Sequence, residues 1–167
     1  MNLFIDQAYL NKKSAIPSNV DWTLIEPLLE ETQIMDILPL LGSNLYDELV
    51  TQSTPPTTLT AANKTLLDDY VIPCMVKYFL ARATPMFKYR YTNKGVLEKN
   101  SDNSTAISSS DMKFLIDEHK NNAEELAQRL ICYISIHSVD YPSYYISNTT
   151  TLIAPRNKGY DSPLYLE

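Results

Sequence analysis

The stretch from residue 108 to residue 141 constrains the fold most, because it contains no glycine or proline. Its opening "SSSD" has capping-box spacing. Mostly apolar side chains then recur three and four residues apart, as one buried helical stripe requires: Met112, Leu115, Ile116, His119, Ala123, Leu126, Ala127, Leu130, Ile131 and Ile134. A helix of about 27 residues spans roughly 40 Å at 1.5 Å per residue. Such a helix is predicted to be the spine of the domain.

The residues before the linker "TQSTPPTTLT" predict two helices. "TLIE" at Thr23 has capping-box spacing, so the first helix is expected to begin there and to tolerate Pro27 in its first turns. Pro39 is expected to break this helix, and Gly42 can take the left-handed conformation of a C-terminal cap. A short second helix is then expected to run to Val50.

The third helix is predicted to begin near Thr60, after the linker. Pro73 falls within its apolar pattern and should produce a kink or a break, because proline removes one helical hydrogen bond. Pro85 should end the helix. The following "KYRYTNKGVLEK" predicts a strand or hairpin with "NKG" at the turn.

The expected fold class is therefore mainly α, with a small helical bundle, a long central C-terminal helix, a β-hairpin or extended loop and an extended C-terminal tail. Residues 1–18 are predicted to form an extended N-terminal arm. Residues 19–140 should form the helical domain, with the hairpin or loop at about 88–108. Residues 141–167 are rich in tyrosine and proline, too apolar for a solvated tail, and are predicted to dock on a protein surface.

The charges of the chain are unevenly distributed. The net charge of -6 argues against a general nucleic-acid binder. Residues 21–50 contain seven acidic residues and no Lys or Arg, whereas residues 77–99 contain six basic residues and one acid. An acidic and a basic block can pair within one chain, or head-to-tail between copies of the chain.

Catalytic and metal sites are not expected. The only histidines are His119 and His137; His137 and Asp140 are three residues apart and could share a metal, but two ligands do not make a zinc site. The three glycines of the whole chain cannot build a phosphate-binding loop. Cys74 and Cys132 are predicted to be buried thiols, because both lie in apolar helical segments. No apolar run approaches the length of a membrane span, so no membrane contact is expected. No cofactor or metal is expected either.

The stretch "MFKYRYTNKGV" at residues 86–96 interleaves aromatic and basic side chains. Stacking aromatics among cations suit single-stranded nucleic acid, and the same residues can meet an acidic protein face. An ordinary edge strand that follows a helix C-terminus can have the same mixture of aromatic and basic residues. The acidity of the chain favours protein over DNA as the partner.

The order of several phrases resembles a known family. "ILPLLGSNLYDEL" closes the first helical region, a kinked helix leads into "FKYRYTNKGV", and "FLIDEHKNNAEELAQRLICYI" precedes "YPSY". This order, over roughly residues 20–145, resembles the small helical head–tail connector (adaptor) proteins of tailed bacteriophages, and more loosely those of crAss-like phages.

The resemblance implies a structural virion protein, assembled in the cytoplasm of the bacterial host, with no catalytic residues. It implies a ring of about a dozen copies beneath the portal, which extends the DNA channel and supports the next tail or ring component. DNA would pass through the lumen without sequence-specific binding. The family commonly docks through its C-terminal segment, here about residues 141–167.

The predicted interface combines the two charge blocks with the tail. Its candidate residues are Glu30, Glu31, Arg82, Lys88, Arg90, Lys94, Tyr144, Tyr145, Leu164 and Tyr165. Two alternatives remain open, a monomeric helical binding or regulatory module and a nucleic-acid-binding protein that uses residues 86–96. A stable monomer would mark the first, and affinity that falls steeply with salt would mark the second.

Overall fold

The computed structural model describes residues 2–14, 16–92, 95–98, 108–146 and 153–156. It confirms a mainly α fold, a small bundle with a long C-terminal helix and a short hairpin. The helices are α1 Gln7–Lys13, α2 Trp22–Thr32, α3 Leu38–Ser53, α4 Ala61–Thr65, α5 Ile72–Lys88, α6 Ser109–Ile136 and α7 Pro142–Tyr145. Two π-helical segments, Gln33–Ile37 and Leu66–Val71, connect α2 to α3 and α4 to α5.

The N-terminal residues belong to the core, so the prediction of an extended arm is wrong over α1. The Asp6 carboxylate caps this helix by accepting a hydrogen bond from the Tyr9 N–H at 2.7 Å. Phe4, Ile5 and Leu10 are buried with the apolar residues of α2, α3 and α5. Burial of these apolar side chains favours the folded segment over an extended, solvated arm.

The break predicted at Pro39 and the kink or break predicted at Pro73 both coincide with a preceding π-helical segment, and neither proline ends its helix. Pro39 and Pro73 each occupy the second position of an α-helix that follows such a segment. Proline lacks an N–H and its ring crowds the carbonyl four residues earlier, and a wider π turn relieves both problems without ending the helix. The chain therefore continues through both prolines, and the first helical region bends later, at Gly42.

Helix boundaries elsewhere differ slightly from the prediction. Helix α2 begins at Trp22, because Asp21 rather than Thr23 provides the cap. Pro27 lies inside α2, as expected. Pro85 lies inside α5, which continues to Lys88, so the prediction that it ends the helix is wrong. Packing of α5 along α6 offsets the lost hydrogen bond.

Helices α5 and α6 run antiparallel and form the main helix pair of the bundle. The Cys74 Sγ lies 3.5 Å from the Ala123 carbonyl oxygen. Lys77 follows Cys74 on α5 and lies near His119, which precedes Ala123 on α6. Burial lowers the pKa of the His119 imidazole, and the charge of Lys77 lowers it further. Ser108 caps α6 as predicted. The buried stripe is limited to the second half of the helix, at Ala123, Ala127, Leu130 and Ile134.

The predicted hairpin is present. Strands β1 Tyr89–Thr92 and β2 Gly95–Glu98 are antiparallel, and Tyr89 pairs with Glu98 while Thr92 pairs with Gly95. The intervening turn at residues 93–94 and the polar loop at residues 99–107 lie outside the described residues. Because the hairpin follows α5 directly, it extends from the end of the bundle at which α6 begins.

The predicted docking tail begins inside the core. Tyr141 and Tyr144 are buried, and the Tyr141 hydroxyl donates to the Ala62 carbonyl at 2.9 Å.

The two cysteines differ from each other. Cys74 is buried, and burial raises the pKa of its thiol to about 12, whereas Cys132 is exposed, so the prediction of burial is wrong for Cys132.

Candidate protein-interaction surfaces

Part of the acidic and basic blocks pairs within the chain. The Arg82 guanidinium donates to both carboxylate oxygens of Asp36, at 2.7 and 3.1 Å, and to the Glu31 carboxylate at 2.8 Å. The bidentate geometry and these two acids raise the pKa of Arg82, although partial burial opposes the shift. Arg82 and Glu31, both predicted at a subunit interface, therefore fasten α2 and the first π segment to α5. Glu30 beside them is half-buried.

The basic and aromatic stretch lies at the junction of α5 with the hairpin. Lys88 ends α5, and its ammonium group lies 5.7 Å from the centre of the Tyr89 ring. Arg90 is on β1, and the structure describes its backbone position only. Lys94 lies outside the described residues. The structure thus places Lys88 and the backbone of Arg90 at one end of the bundle, where α5 passes into the hairpin.

The two tail tyrosines have different environments. Tyr144 is buried, whereas Tyr145 is half exposed and its ring packs edge-on against that of Tyr144 at 5.2 Å. The Tyr145 hydroxyl donates to the Ile134 carbonyl at 3.4 Å. Tyr144 therefore contributes to the core and Tyr145 to the surface. Leu164 and Tyr165 lie outside the described residues.

Exposed apolar side chains occur at both ends of the α5–α6 pair. The hairpin-end surface consists of Met86, Phe87 and Phe114, the last of which is 71% exposed. The tail-end surface consists of Ile136, Val139, Tyr145, Ile146 and Ile153. Phe114 and Ile136 are 22 positions apart, so the two surfaces are separated by roughly 33 Å along α6. The sequence analysis singled out residues 86–96 and Tyr145 but not Phe114, Ile136 or Val139, whose exposure depends on how α6 packs in the fold.

A notch in α3 at Gly42 holds the segment at residues 153–156. Gly42 has φ 71° and ψ 157°, so the helix is interrupted there. In an unbroken helix the Ser43 N–H would donate to the Pro39 carbonyl. It donates instead to the Ile153 carbonyl at 3.0 Å, and the Arg156 N–H donates to the Pro39 carbonyl at 2.8 Å.

Side-chain contacts complete the notch. The Ile153 N–H donates to the Ser43 hydroxyl at 3.0 Å. A Cβ atom at Gly42 would lie 2.7 Å from the Pro155 Cδ, so only glycine allows this approach. The sequence predicted a positive φ at Gly42 but not its partner, since nothing local to "TLIAPR" identifies residues 39–43 as the surface it contacts.

The histidines form no catalytic constellation in the described part of the chain. His119 is half-buried, its Nδ1 has no hydrogen-bond partner among the described residues, and burial is the main cause of its lowered pKa. The His137 ring lies over Tyr133, with centroids 4.2 Å apart. Among the described residues, no group of three His, Cys, Asp or Glu side chains is placed to hold a metal ion. No described helix is long and apolar enough to cross a membrane.

Comparison with known proteins identifies a family. The family DUF6712, a family of unknown function, matches residues 37–152. This chain belongs to DUF6712. Neither a curated protein nor a solved structure matches the chain. The region matched by DUF6712 contains the Gly42 notch, Arg82, the hairpin and α6, and it ends directly before the segment that fills the notch.

Proposed function

We propose that this protein is a structural virion protein that forms an oligomeric ring beneath the portal of a tailed bacteriophage. The ring contains about a dozen copies, joins the head to the tail and extends the DNA channel. Its partners are further copies of itself, the portal protein and the next tail or ring component. It assembles in the cytoplasm of the bacterial host, needs no cofactor and performs no catalysis.

The observation that carries this proposal is the exposure of apolar side chains at both ends of α6; Leu24, Ile34 and Met35, on α2 and the first π segment, are exposed as well. A two-fold dimer needs one self-complementary patch, whereas a ring needs two different patches that fit each other. The hairpin-end and tail-end surfaces differ in composition and lie at opposite ends of α6. Exposed apolar clusters on a small domain commonly mark protein contacts. Each copy can therefore present one surface to the preceding subunit or tail component and the other to the following one.

The charge of the chain supports a channel role. The net charge of -6 disfavours retention of DNA on the protein. An acidic lumen would let DNA slide without binding. Lys88 and Arg90 at the hairpin end then meet an acidic face of a neighbouring subunit or of the portal, where charge sets the register more than the affinity.

The internal ion pairs modify this part of the interface. Glu31 is already bonded to Arg82, so its pairing with a neighbouring subunit would first break that contact. The acidic partner of Lys88 and Arg90 is therefore expected elsewhere on the acidic block or on the portal. The resemblance in helix order and in the hairpin is the second support for the connector role.

The proposal is tested with substitutions on the tail-end surface. Val139 is 92% exposed, so Val139→Asp should leave the fold intact and weaken assembly of concentrated protein. Ser138→Asp is the matched control, because Ser138 is an exposed polar neighbour and carries the same added charge. The readouts are native mass and attachment to portal-bearing heads that lack this protein.

Charge reversal of Lys88 and Arg90 to Glu should also reduce attachment to heads. If neither this charge reversal nor Val139→Asp changes assembly, the result contradicts the ring interface. If the reversed protein attaches normally but loses salt-sensitive DNA binding, the stretch at residues 86–96 is a nucleic-acid site instead. A protein that stays monomeric at every concentration and ignores heads fits the regulatory-module alternative.

A further inference from the structure

The outward face of α2 carries a row of exposed side chains that is mostly apolar. Leu24 is 61% exposed at one end of the row, and Met35 in the following π-helical segment is 59% exposed at the other. Pro27 and Glu31 are exposed between them. Steps of three and four residues place all four side chains on one side of the helix. The buried residues of α2 lie on the opposite side: Ile25, Leu29 and Thr32.

The dimensions of this row suit a helical partner. Leu24 and Met35 are 11 positions apart, so the row is roughly 16 Å long, about three helical turns. The backbone of α2 is engaged in its own helical hydrogen bonds, so a strand cannot be added here as it can at a sheet edge. Contact must therefore be made between side chains, and a second helix lying along α2 provides it.

The π-helical segment widens the apolar end of the row. Gln33 and Ile37 are its buried residues, whereas Ile34 and Met35 both face outward as direct neighbours. Segments of this kind are frequent at functional sites. The flexible methionine side chain adapts to irregular apolar surfaces. Met35 and Ile34 thus form a broad apolar contact at one end of the row, with Leu24 at the other.

The charges beside the row are acidic. Glu26 is exposed and Glu30 is half-buried on the flank of the row, and residues 21–50 contain no Lys or Arg. Glu31, within the row, is bonded to Arg82 of α5. Two copies of this face would bring acids together, so charge disfavours a two-fold dimer through α2. A helix with basic side chains beside an apolar face is complementary to it.

We propose that the outward face of α2 is the docking site for a basic amphipathic helix of another protein. The apolar side of that helix packs along Leu24, Pro27 and Met35, and its Lys or Arg side chains lie near Glu26 and Glu30. Apolar burial supplies most of the affinity, and the acids set the orientation. This inference does not rest on the ring, because the face shares no residue with the hairpin-end or tail-end surface.

A pair of synthetic peptides tests the proposal on the full chain. The first is a fluorescent helical peptide of about 14 residues, roughly 21 Å long, with leucines along one side and lysines on both flanks. The second has the same leucines and replaces every lysine by glutamate. Binding is measured by fluorescence anisotropy in low salt. This comparison needs no substitution in the chain, so it tests the charge requirement independently of any effect of a variant on folding.

Three variants of the chain locate the binding site. Leu24→Gln with Met35→Gln removes the apolar ends of the row, and Glu26→Lys with Glu30→Gln removes the acidic flank. Phe114→Gln is the matched control, because Phe114 is an exposed apolar residue of the hairpin-end surface. Thermal unfolding confirms that each variant is folded before its binding is compared.

The proposal predicts that the lysine peptide binds the unsubstituted chain and the control variant equally well. Each double variant should bind it about tenfold more weakly, and the glutamate peptide should bind the unsubstituted chain about tenfold more weakly or not at all. The effect of the acidic-flank variant should shrink in 1 M NaCl.

Three results would overturn the proposal. They are no binding of the lysine peptide, equal binding of the two peptides, and equal binding of the lysine peptide by the unsubstituted chain and both double variants. A fourth result would identify a different occupant. If Leu24→Gln with Met35→Gln lowers the native mass of the concentrated chain and leaves peptide binding unchanged, the face meets a second copy, and the basic helix is excluded.

Discussion

Replacement of Gly42 by alanine tests the notch most sharply, because two independent effects should act on one residue. The φ of 71° and ψ of 157° lie in a region that is essentially restricted to glycine. The added Cβ would also approach the Pro155 Cδ to 2.7 Å. Alanine therefore strains α3 itself and displaces the segment at residues 153–156.

The two effects have comparable magnitudes. The backbone strain is expected to cost about 1–3 kcal/mol. Displacement of the segment removes three hydrogen bonds, each with a net contribution of about 0.5–1.5 kcal/mol, and water compensates part of that loss because the segment is half exposed. We expect Gly42→Ala to lower the free energy of unfolding by about 2–4 kcal/mol. For a domain of this size, this corresponds to a melting temperature lower by roughly 5–15 °C.

The assay is thermal unfolding at one fixed protein concentration, followed by circular dichroism. Thr51→Ala is the control on the same helix and should change stability by less than about 0.5 kcal/mol. Gly42→Ala is also made in a chain that ends at Ile146, which lacks the segment and should lose only the strain. The two backgrounds should differ by about 1 kcal/mol or more. Equal losses would refute the contribution of the segment, and a loss as small as that of Thr51→Ala would refute the entire account of the notch.

Three further predictions concern the core and its charges. Leu130→Asp should cost more than about 3 kcal/mol, because it places an unpaired charge in the core, whereas Gln128→Asp on the exposed side of α6 should cost little; equal chemical denaturation midpoints would contradict this. A chain that ends at Asp140 should melt well below one that ends at Ile146, because it lacks two buried tyrosines, and equal melting curves would remove them from the core. Arg82→Gln should cost about 1 kcal/mol in low salt and less in 1 M NaCl; a salt-independent cost would argue against the ion pairs.

The sequence predicted those parts of the fold that depend on local rules. The cap at Ser108, the length of α6, the hairpin and the positive φ at Gly42 all follow from residues close to the feature itself. The break predicted at Pro39 is wrong, and the irregularity predicted at Pro73 takes the form of a π-helical segment, because local rules treat proline as a helix breaker. The structure keeps the helices continuous with π-helical segments, which tertiary packing stabilises.

Interaction surfaces were harder to predict, because they depend on contacts distant in sequence. Arg82 has its partners at Glu31 and Asp36, about 50 positions earlier, and charge counts alone did not distinguish this pairing from one between subunits. Ile153 meets Ser43 across 110 positions. Only the fold shows that a positive-φ glycine and a proline near the C-terminal end of the sequence belong to one site.

The most direct test of the central claim is the native mass of the concentrated, purified protein. The account predicts a closed ring with a mass near a dozen times the 19.0 kDa of one chain, and the same ring beneath the portal when the protein is added to heads that lack it. Val139→Asp should shift this mass toward the monomer, whereas Ser138→Asp should not. A single species of 19.0 kDa at every concentration, with no binding to portal-bearing heads, would contradict the account.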